Sequence, residues 1–255
     1  MEIATIWLTV FAAPGPNPWK VIFLLEELGL NYEIKSFSFE VVKKKPFTDV
    51  NPNGRVPAIE DPNTDLTLWE SGAIIQYLVE TYDGEKHHVS HAAFRGRQLC
   101  NQWLHFQMSG QGPYYGQCGW FQHLHYEKYQ PAIDRYAGEI RRVLGVLEGE
   151  LAARPADAPW LVGGKMTFAD MAFVSWNFRL SEVLNQPWDQ VWEGLPTSAR
   201  GTSAWSSCPR GSGPWRSGPG LWTSRGCSGT GFLRGLRLSR STRSRLLLLR
   251  TRRLD

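Results

Sequence analysis

Two short motifs contain residue types that can bind the charged and peptide groups of a small molecule. The first, residues 51–57, reads N-P-N-G-R-V-P, and the second, Glu70-Ser71-Gly72, begins thirteen residues after Pro57. Ser71 can cap a following helix, whose N-terminus favours an anion. Glu70 can bind an ammonium group. The alternative interpretation is a simple helix cap beside an acid that interacts with the helix dipole.

The pattern around these motifs predicts a small sheet with helices. Val21, Leu24, Leu25 and Leu28 recur at helical spacing, and Gly29 ends that helix. A loop rich in proline, residues 14–18, precedes the helix. The order β-α-β followed by β-β-α matches a thioredoxin-like fold. The predicted strands are residues 3–11, 32–39, 56–60 and 65–69, with a helix from residue 71 to about residue 82.

These motifs resemble the glutathione-binding motifs of glutathione transferases. Residues 15–20, G-P-N-P-W-K, look like the T-P-N-G-x-K loop of the Asn-type group, which includes bacterial disulfide-bond oxidoreductases and a fungal nitrogen regulator. Gly15 and Pro18 stand where that group often has Thr and Gly. The resemblance covers residues 1–196. It implies a glutathione transferase architecture, with an α/β thioredoxin-like N-terminal domain and an all-α C-terminal domain.

The resemblance also implies roles for individual residues toward glutathione as co-substrate. Val56-Pro57 is expected to form a cis peptide bond, so that Val56 pairs with the cysteinyl backbone of glutathione as an added strand would. Glu70 and Ser71 are expected to bind the γ-glutamyl ammonium and carboxylate. Lys44 roughly matches the basic contact to the glycyl carboxylate, although a solvated run of lysines explains it equally well.

Asn17, in the predicted loop before the first helix, is the candidate catalytic residue. Lowering a thiol pKa of about 8.5 by two units takes about 2.7 kcal/mol. A helix N-terminus supplies roughly 0.3–1 kcal/mol, up to about 2, and a hydrogen bond to the thiolate about 1.5–3 kcal/mol. An amide N–H of Asn17 is therefore expected to stabilise the glutathione thiolate. The alternative is an asparagine that only stabilises its loop.

The second domain is expected to be helical and to provide a substrate cleft. Helices are predicted from about residue 94 to 108, with an interruption at residues 110–116, and around residues 133–147. Thr167 and Asp170 fit a capping box that serves folding and not catalysis. The candidate cleft residues suit a flat apolar co-substrate, although ordinary core packing explains most of them individually. They are Arg97, Asn101, Trp103, Phe106, Gln107, Tyr114 and Tyr115.

Composition favours a cytoplasmic protein without metal or membrane partners. Four cysteines show no metal-binding spacing, and reduced thiols are the simplest interpretation. His87, His88 and His91 lie in a polar linker without an accompanying acid or cysteine cluster, so we expect no metal site. No apolar run approaches the roughly 18 residues of a membrane span. The apolar N-terminus lacks the features of a signal peptide and is expected to be a buried strand.

The formal net charge of +4 is the sum of two dissimilar segments. Residues 1–196 contain 16 Lys and Arg residues against 23 Asp and Glu residues, whereas residues 197–255 contain 12 Arg residues, no Lys and one Asp. Residues 197–255 look frameshifted, because loss of one C at Leu195-Pro196 permits the next frame to read L-P-H-V-R-A-W-H-E-R-M. A basic nucleic-acid-binding tail is the alternative.

We therefore expect three domains or segments. They are a glutathione-binding domain at residues 1–84, an incomplete helical domain at residues 92–196, and an aberrant Gly/Ser/Arg-rich tail at residues 197–255 that is disordered. Loss of the last helices would impair stability and activity.

The expected function is that of a glutathione transferase whose thiolate attacks a small electrophile, in detoxification or fungal secondary metabolism. Glutathione-dependent disulfide reductase, peroxidase or double-bond isomerase activity is the alternative. A third hypothesis is a non-catalytic regulator or an inactivated product. The absence of an Asn/Gln-rich extension before the first strand disfavours the regulator. The family implies a homodimer, and we expect no nucleic-acid partner.

Overall fold

A computed structural model describes residues 3–11, 15–38 and 40–206. The chain divides into two compact units between Ile74 and Ile75. The first unit contains a four-stranded mixed sheet with helices, and the described part of the second is helical. This architecture confirms the predicted thioredoxin-like domain followed by an all-α domain.

The sheet of the first unit has the order β2-β1-β3-β4. β1 pairs in parallel with β2 and antiparallel with β3, which in turn pairs antiparallel with β4. The elements of this unit are β1 (Ile6–Phe11), α1 (Pro16–Leu28), β2 (Tyr32–Phe37), a 3₁₀ turn (Val41–Lys43), α2 (Phe47–Val50), β3 (Ala58–Asp61), β4 (Leu66–Trp69) and the beginning of α3 (Ser71–Tyr82).

Helix α1 connects the two parallel strands and ends where the sequence predicts. Gly29 adopts a left-handed conformation, with φ of 66°, and its N–H donates to the carbonyls of the last turn. A side chain at this conformation would be strained, which explains the glycine. Residues 18–25 of the helix are all buried. The helix is therefore covered on most of its circumference and not along one stripe alone.

The described part of the second unit consists of helices connected by loops. Its elements are the rest of α3, α4 (Phe94–Phe106), a π-helical turn (Gln107–Gln111), α5 (Gly112–His123), α6 (Gln130–Ala152), α7 (Phe168–Asn177), α8 (Leu180–Leu184), α9 (Trp188–Val191) and α10 (Pro196–Ser206). The predicted interruption at residues 110–116 is wrong for residues 112–116, which form the first turns of α5, and a π-helical turn lies before them at Gln107–Gln111.

The predicted polar linker after α3 is an ordered loop. The buried carboxylate of Asp83 accepts hydrogen bonds from the N–H groups of His88 (2.6 Å) and Val89 (3.0 Å) and from the hydroxyl of Ser90 (2.7 Å). The carbonyl of Val89 accepts the N–H of Phe168 at 2.9 Å. The loop is therefore joined to the start of α7, although most of its residues are polar.

The prediction of disorder from residue 197 is wrong for residues 197–206, which form most of α10. The carboxylate of Glu148 on α6 accepts the N–H groups of Thr197 (3.0 Å) and Ser198 (2.7 Å), which are donors that a helix N-terminus leaves unsatisfied. Partial burial opposes ionisation of Glu148, but these N–H groups outweigh it and hold its pKa below the usual value. The rest of the predicted tail, with the frameshift hypothesis for it, lies outside the described residues.

Candidate functional site

The pairing of the strands brings three of the predicted binding segments to one edge of the sheet. Thr9 near the end of β1 lies opposite Ala58, the first residue of β3, and Ala58 lies opposite Trp69, the last residue of β4. The chain therefore leaves β1 toward Asn17, enters β3 from Val56-Pro57, and leaves β4 toward Glu70, all at the same edge. Segments far apart in sequence thus converge on one site.

The prediction that Asn17 lies in a loop is wrong, because Asn17 is the second residue of α1. The helix begins two residues before Pro18, because Pro16 already has the backbone angle of a first helical residue. Gly15 precedes the helix in extended conformation and provides no side-chain cap. The half-buried Asn17 side chain thus lies in the first turn, where the helix dipole and unsatisfied N–H groups favour an anion.

The Val56-Pro57 peptide bond is cis, which confirms the prediction. The Val56 side chain packs with Val42 and Phe47 in a small apolar cluster. Within the described residues, the backbone N–H and C=O of Val56 take part in no hydrogen bond. The backbone of this residue is therefore available to an extended peptide, while its side chain anchors the segment.

The motif at residues 51–57 is held by one asparagine and one glycine. The buried amide of Asn51 donates to the carbonyl of Arg55 at 2.7 Å and accepts the N–H of Asn53 at 2.9 Å. Gly54, with φ of 61°, approaches the 3₁₀ turn so closely that an added Cβ would lie 2.9 Å from the carbonyl oxygen of Val42. The motif requires glycine there, and the close approach brings the lysine-rich turn beside Val56.

Lys44 follows this turn and is exposed, and its N–H donates to Val41 O at 3.0 Å. The neighbouring Lys45 is also exposed and pairs with Asp49 at 3.0 Å. Lys44 therefore lies near the predicted site, yet its environment is that of a surface charge. The interpretation as a solvated charge run stays open beside the binding role.

Glu70 adopts a left-handed backbone conformation with φ of 71°, which is uncommon for a residue with a side chain. Such a conformation costs roughly 1–3 kcal/mol and often occurs in binding and active sites. The Glu70 carbonyl accepts the N–H of Ile74 at 2.9 Å, so that α3 starts directly behind it. Ser71 is buried at the first position of α3, while Glu70 is exposed. The pair presents a carboxylate beside a helix N-terminus.

The sequence interpretation missed that Lys20, on the same helix as Asn17, is buried. It is 1% exposed, one turn after Asn17 on α1. Burial lowers its pKa from 10.5 to about 7, and the negative charge of Glu70 acts in the opposite direction. Its position four residues before Leu24 places it on the apolar stripe of the helix, which is the signal that identifies it.

The chemistry of this arrangement fits a small zwitterionic peptide with a thiol. Val56 provides backbone groups that take part in no hydrogen bond among the described residues, Glu70 provides an anion, and the N-terminus of α3 provides positive charge. Asn17 provides a neutral hydrogen-bond donor at the N-terminus of α1. Stabilisation of an anion is therefore the chemistry that this site supports.

In the helical unit, three of the predicted cleft residues are core residues. Trp103 (7% exposed), Gln107 (0%) and Tyr115 (0%) are buried. The ring centroids of Trp103 and Phe173 are 6.2 Å apart, and those of Tyr115 and Trp176 are 5.9 Å apart. Both pairs are in edge-to-face geometry. Their expected place in an open cleft is wrong, because helix–helix packing within this unit already covers them.

The four other predicted cleft residues are accessible. Arg97 is exposed and donates to the carbonyl of Ala92 at 2.6 Å, and Asn101 is half-buried and accepts from Gln76. Phe106 and Tyr114 are also half-buried. Their exposure is compatible with contact to a substrate.

The π turn is part of a buried hydrogen-bond chain that the sequence interpretation also missed. Gln107 donates to Gln111 at 3.0 Å, Gln111 to Asn177 at 2.8 Å, and Asn177 to Thr202 at 3.1 Å. All four side chains are buried. The chain links the π turn through α7 to α10, which explains why polar residues occupy the core of this unit.

Thr167 and Asp170 form the predicted capping box of α7. Asp170 accepts the N–H and the hydroxyl of Thr167, at 2.8 and 3.0 Å, and also the N–H of Leu161 at 2.8 Å. Burial raises the pKa of Asp170 to about 6, although these donors oppose the shift. The acid therefore also ties the preceding loop to the helix, which agrees with a structural role.

No group of three or more His, Cys, Asp or Glu side chains suited to a metal ion occurs within residues 3–11, 15–38 and 40–206. His91 instead contacts the carbonyl of Val162 at 3.1 Å. Among these same residues, no helix has both the length and the apolar character required to cross a bilayer.

Comparison with known proteins places these features in a family. The N-terminal domain of Glutathione S-transferase matches residues 7–80, and its C-terminal domain matches residues 104–189. The Glutathione S-transferase-like protein tpcF of Aspergillus fumigatus is 50% identical over 187 residues, which cover 71% of this chain and 82% of that protein. The transcriptional regulator URE2 of Saccharomyces cerevisiae is 37% identical over 196 residues, covering 64% of this chain and 55% of that protein.

A solved structure shows the same similarity. The glutathione transferase URE2P6 from Phanerochaete chrysosporium, crystallised in complex with oxidized glutathione, superimposes with a TM-score of 0.73 at 43% identity. The alignment covers 81% of this chain and 92% of that chain. The chain therefore belongs to the glutathione S-transferase family.

Proposed function

We propose that this protein is a glutathione transferase that binds glutathione at the sheet edge of its first unit and activates the thiol. The observation that carries the proposal is the convergence of Asn17, Val56 and Glu70 at one edge of the sheet. In this proposal Val56 pairs with the cysteinyl backbone, Glu70 binds the γ-glutamyl ammonium, and Ser71 with the α3 N-terminus binds the γ-glutamyl carboxylate. Lys44 binds the glycyl carboxylate.

Asn17 acts on the sulfur by donating an amide N–H to the thiolate. The thiol proton passes to solvent, and the first turn of α1 adds its dipole. The thiolate then attacks an electrophilic carbon. With a chloronitroarene a C–S bond forms, the C–Cl bond breaks and chloride leaves. Stabilisation of the anion before attack lowers the barrier.

The electrophile is a small molecule, and secondary metabolites are the class that we propose first. The accessible residues Arg97, Asn101, Phe106 and Tyr114 are the candidates for contacting it. We propose that the protein acts as a homodimer in the cytoplasm, without a nucleic-acid partner.

A disulfide or peroxide is the second candidate for the attacked group. URE2P6 was crystallised with oxidized glutathione, and a site that admits a disulfide supports attack on sulfur as well as on carbon. The same thiolate then displaces a thiolate from a mixed disulfide, and no further side chain is needed. Reversible addition of the thiolate, which isomerises a double bond, is the third chemical outcome.

A non-catalytic role is supported by the similarity to the transcriptional regulator URE2. The two classes differ in turnover. An enzyme binds glutathione and consumes a co-substrate, whereas a regulator binds without consuming it.

The test combines binding and turnover on the full chain. Calorimetric titration with glutathione is followed by assays with a chloronitroarene, a mixed disulfide and a hydroperoxide. Binding with turnover of at least one co-substrate is expected. Absence of glutathione binding would refute the proposed site, and binding without turnover of any of the three would favour the regulator.

A further inference from the structure

A cavity lies within the second unit, between α6, α7 and α10. Its apolar walls are Leu147 and Leu151 of α6 and Phe173 and Val174 of α7. Its volume of about 40 Å³ is roughly three times the space that a single water requires. Protein interiors are normally packed with few voids of this size. The cavity therefore has room for a small organic molecule as well as for water.

The third side of the cavity is α10, whose lining residues are all small, namely Ser198, Gly201 and Thr202. A Cβ added at Gly201 would lie 3.9 Å from Cδ1 of Leu151, which is ordinary van der Waals contact. The backbone at this position therefore accepts a side chain without a clash. Glycine is not required there, and the lack of a side chain leaves space between α10 and α6.

The alternate reading frame of this segment indicates which group would fill the space. From Leu195 it reads L-P-H-V-R-A-W-H-E-R-M, which places valine at position 198 and tryptophan at position 201. Both are larger and more apolar than Ser198 and Gly201. An indole ring attached at position 201 would extend from the point where an added Cβ contacts Leu151. The cavity thus lies where that frame has its largest side chain.

The hydroxyl of Ser198 is a polar group in a cavity with mainly apolar walls. Ser198 is 2% exposed, and within residues 3–11, 15–38 and 40–206 its Oγ atom has no partner at hydrogen-bond geometry. Such a buried polar atom is uncommon, because the loss of its contact with water is not compensated. A ligand N–H directed at Ser198 Oγ would supply a hydrogen bond.

We propose that the cavity between α6, α7 and α10 binds a small planar apolar molecule with one N–H donor, of the chemical class of indole. The ring occupies the position of the side chain that Gly201 lacks and contacts Leu151 and Phe173. Its N–H donates to Ser198 Oγ. All residues that line the cavity belong to the second unit, so this binding does not depend on the proposed glutathione site.

The test compares indole binding to four forms of the full chain: the wild type, Gly201→Trp, Gly145→Trp and Ser198→Ala. Gly201→Trp places a covalently attached indole ring in the cavity. Gly145→Trp is the matched control, since Gly145 is exposed on α6 and no described atom lies within 4 Å of an added Cβ there. Ser198→Ala removes the hydroxyl and preserves the cavity. Calorimetry measures the dissociation constants, and thermal unfolding without indole checks that each variant is folded.

The wild type and Gly145→Trp are expected to bind indole with a dissociation constant of about 0.1–1 mM. Binding to Gly201→Trp is expected to be at least about 10-fold weaker, because the attached ring already fills the space. Ser198→Ala is expected to bind indole about 3- to 10-fold more weakly, since one hydrogen bond is lost. Gly201→Trp should also melt about 2–4 °C above the wild type, because filling a cavity stabilises the fold.

Two results would overturn the proposed site. One is the failure of indole at about 5 mM to bind the wild type, and the other is equal binding by the wild type and Gly201→Trp, which would place indole elsewhere. Equal binding by the wild type and Ser198→Ala would overturn the assigned hydrogen bond. If Gly201→Trp does not fold, Gly201→Leu replaces it in the comparison, since leucine fills part of the cavity, and unchanged indole binding to that variant would overturn the site.

Discussion

Lys20 and Glu70 interact electrostatically, although the Lys20 side chain is buried and Glu70 is exposed. Burial lowers the pKa of Lys20 to about 7, and Glu70 offsets only part of that effect. A lysine in this environment destabilises the folded state. Sites that retain a destabilising charge often do so for function.

The lowered pKa of Lys20 predicts that the stability of the folded chain depends on pH. The pKa of Lys20 is about 7 in the folded chain against an ordinary value of 10.5, so between these values the unfolded chain binds more protons. The free energy of unfolding is therefore expected to rise with pH across this window, by at most about 1.4 kcal/mol per pH unit from this group. Urea unfolding at pH 7, 8 and 9 measures the slope.

In Lys20→Met the contribution of this group to the slope should disappear, and the free energy of unfolding at pH 7 should increase. Lys35→Met, which removes a half-exposed lysine paired with Glu60, should retain the wild-type slope. If the free energy of unfolding rises equally with pH in the wild type and in Lys20→Met, folding does not disfavour the charged form of Lys20.

Asn17→Ala is expected to reduce turnover with a chloronitroarene about 10- to 150-fold, since a hydrogen bond to a charged group contributes about 1.5–3 kcal/mol. The pKa of bound glutathione, followed by the ultraviolet absorbance of the thiolate, should rise by about one to two units. Asn53→Ala is the control, because Asn53 is exposed in the neighbouring motif. An unchanged thiolate pKa in Asn17→Ala would limit Asn17 to a structural role at the start of α1.

Asp170→Ala is expected to lower the free energy of unfolding by about 2–4 kcal/mol, because a half-buried acceptor of three hydrogen bonds is lost. Activity per folded molecule should be unchanged. Chemical denaturation together with active-site titration by glutathione measures both quantities. Asp157→Ala, at an exposed loop position, should shift stability by less than about 0.5 kcal/mol. A large loss of activity without loss of stability would refute the structural role.

Glu148→Ala is expected to loosen the start of α10, because the N–H groups of Thr197 and Ser198 lose their acceptor. Loss of a helix cap costs about 0.5–2 kcal/mol. Arg200 lies exposed in this helix, so the rate of tryptic cleavage after Arg200 should increase several-fold. Glu139→Ala is the control on the same helix, since the partners of Glu139 among the described residues are Arg135 and Arg142. Equal cleavage rates for the two variants would contradict a capping role of Glu148.

The pH dependence of this cap has a definite sign. The N–H groups hold the pKa of Glu148 below its usual value, so its contribution to stability is present above the pKa of an unfolded glutamate. That contribution is lost as the pH falls through the lower pKa of the folded state. Tryptic cleavage cannot follow this range, but amide hydrogen exchange in residues 197–202 can.

Local patterns in the sequence were sufficient for the order of the elements. Gly29 ends α1 and Thr167 with Asp170 begins α7, because caps and turns depend on residues close in sequence. The cis bond at Val56-Pro57 followed from a resemblance of motifs and is also present. The start of α1 was misplaced, since Pro16 and Pro18 both fit a first helical turn and the sequence offers no means to choose between them.

Burial was decided by the tertiary structure. Trp103, Gln107 and Tyr115 have the residue types of a binding cleft, yet packing between distant helices places them in the interior. Gln111 bonds to Asn177, 66 positions away, and Glu148 caps a helix about 50 positions further along. Contacts between residues so far apart produce no periodic pattern in the sequence from which they could be predicted.

The sequence by itself determined the family, the sheet with its following helices, and the motifs around Asn17, Val56 and Glu70, because these depend on short-range spacing and turn chemistry. Only the tertiary structure decided that these motifs meet at one sheet edge, through the pairing of Thr9, Ala58 and Trp69. It also decided that Lys20 is buried and that the charge of Glu70 acts on it. Desolvation and electrostatic interaction depend on distance in space, and no residue type specifies them alone.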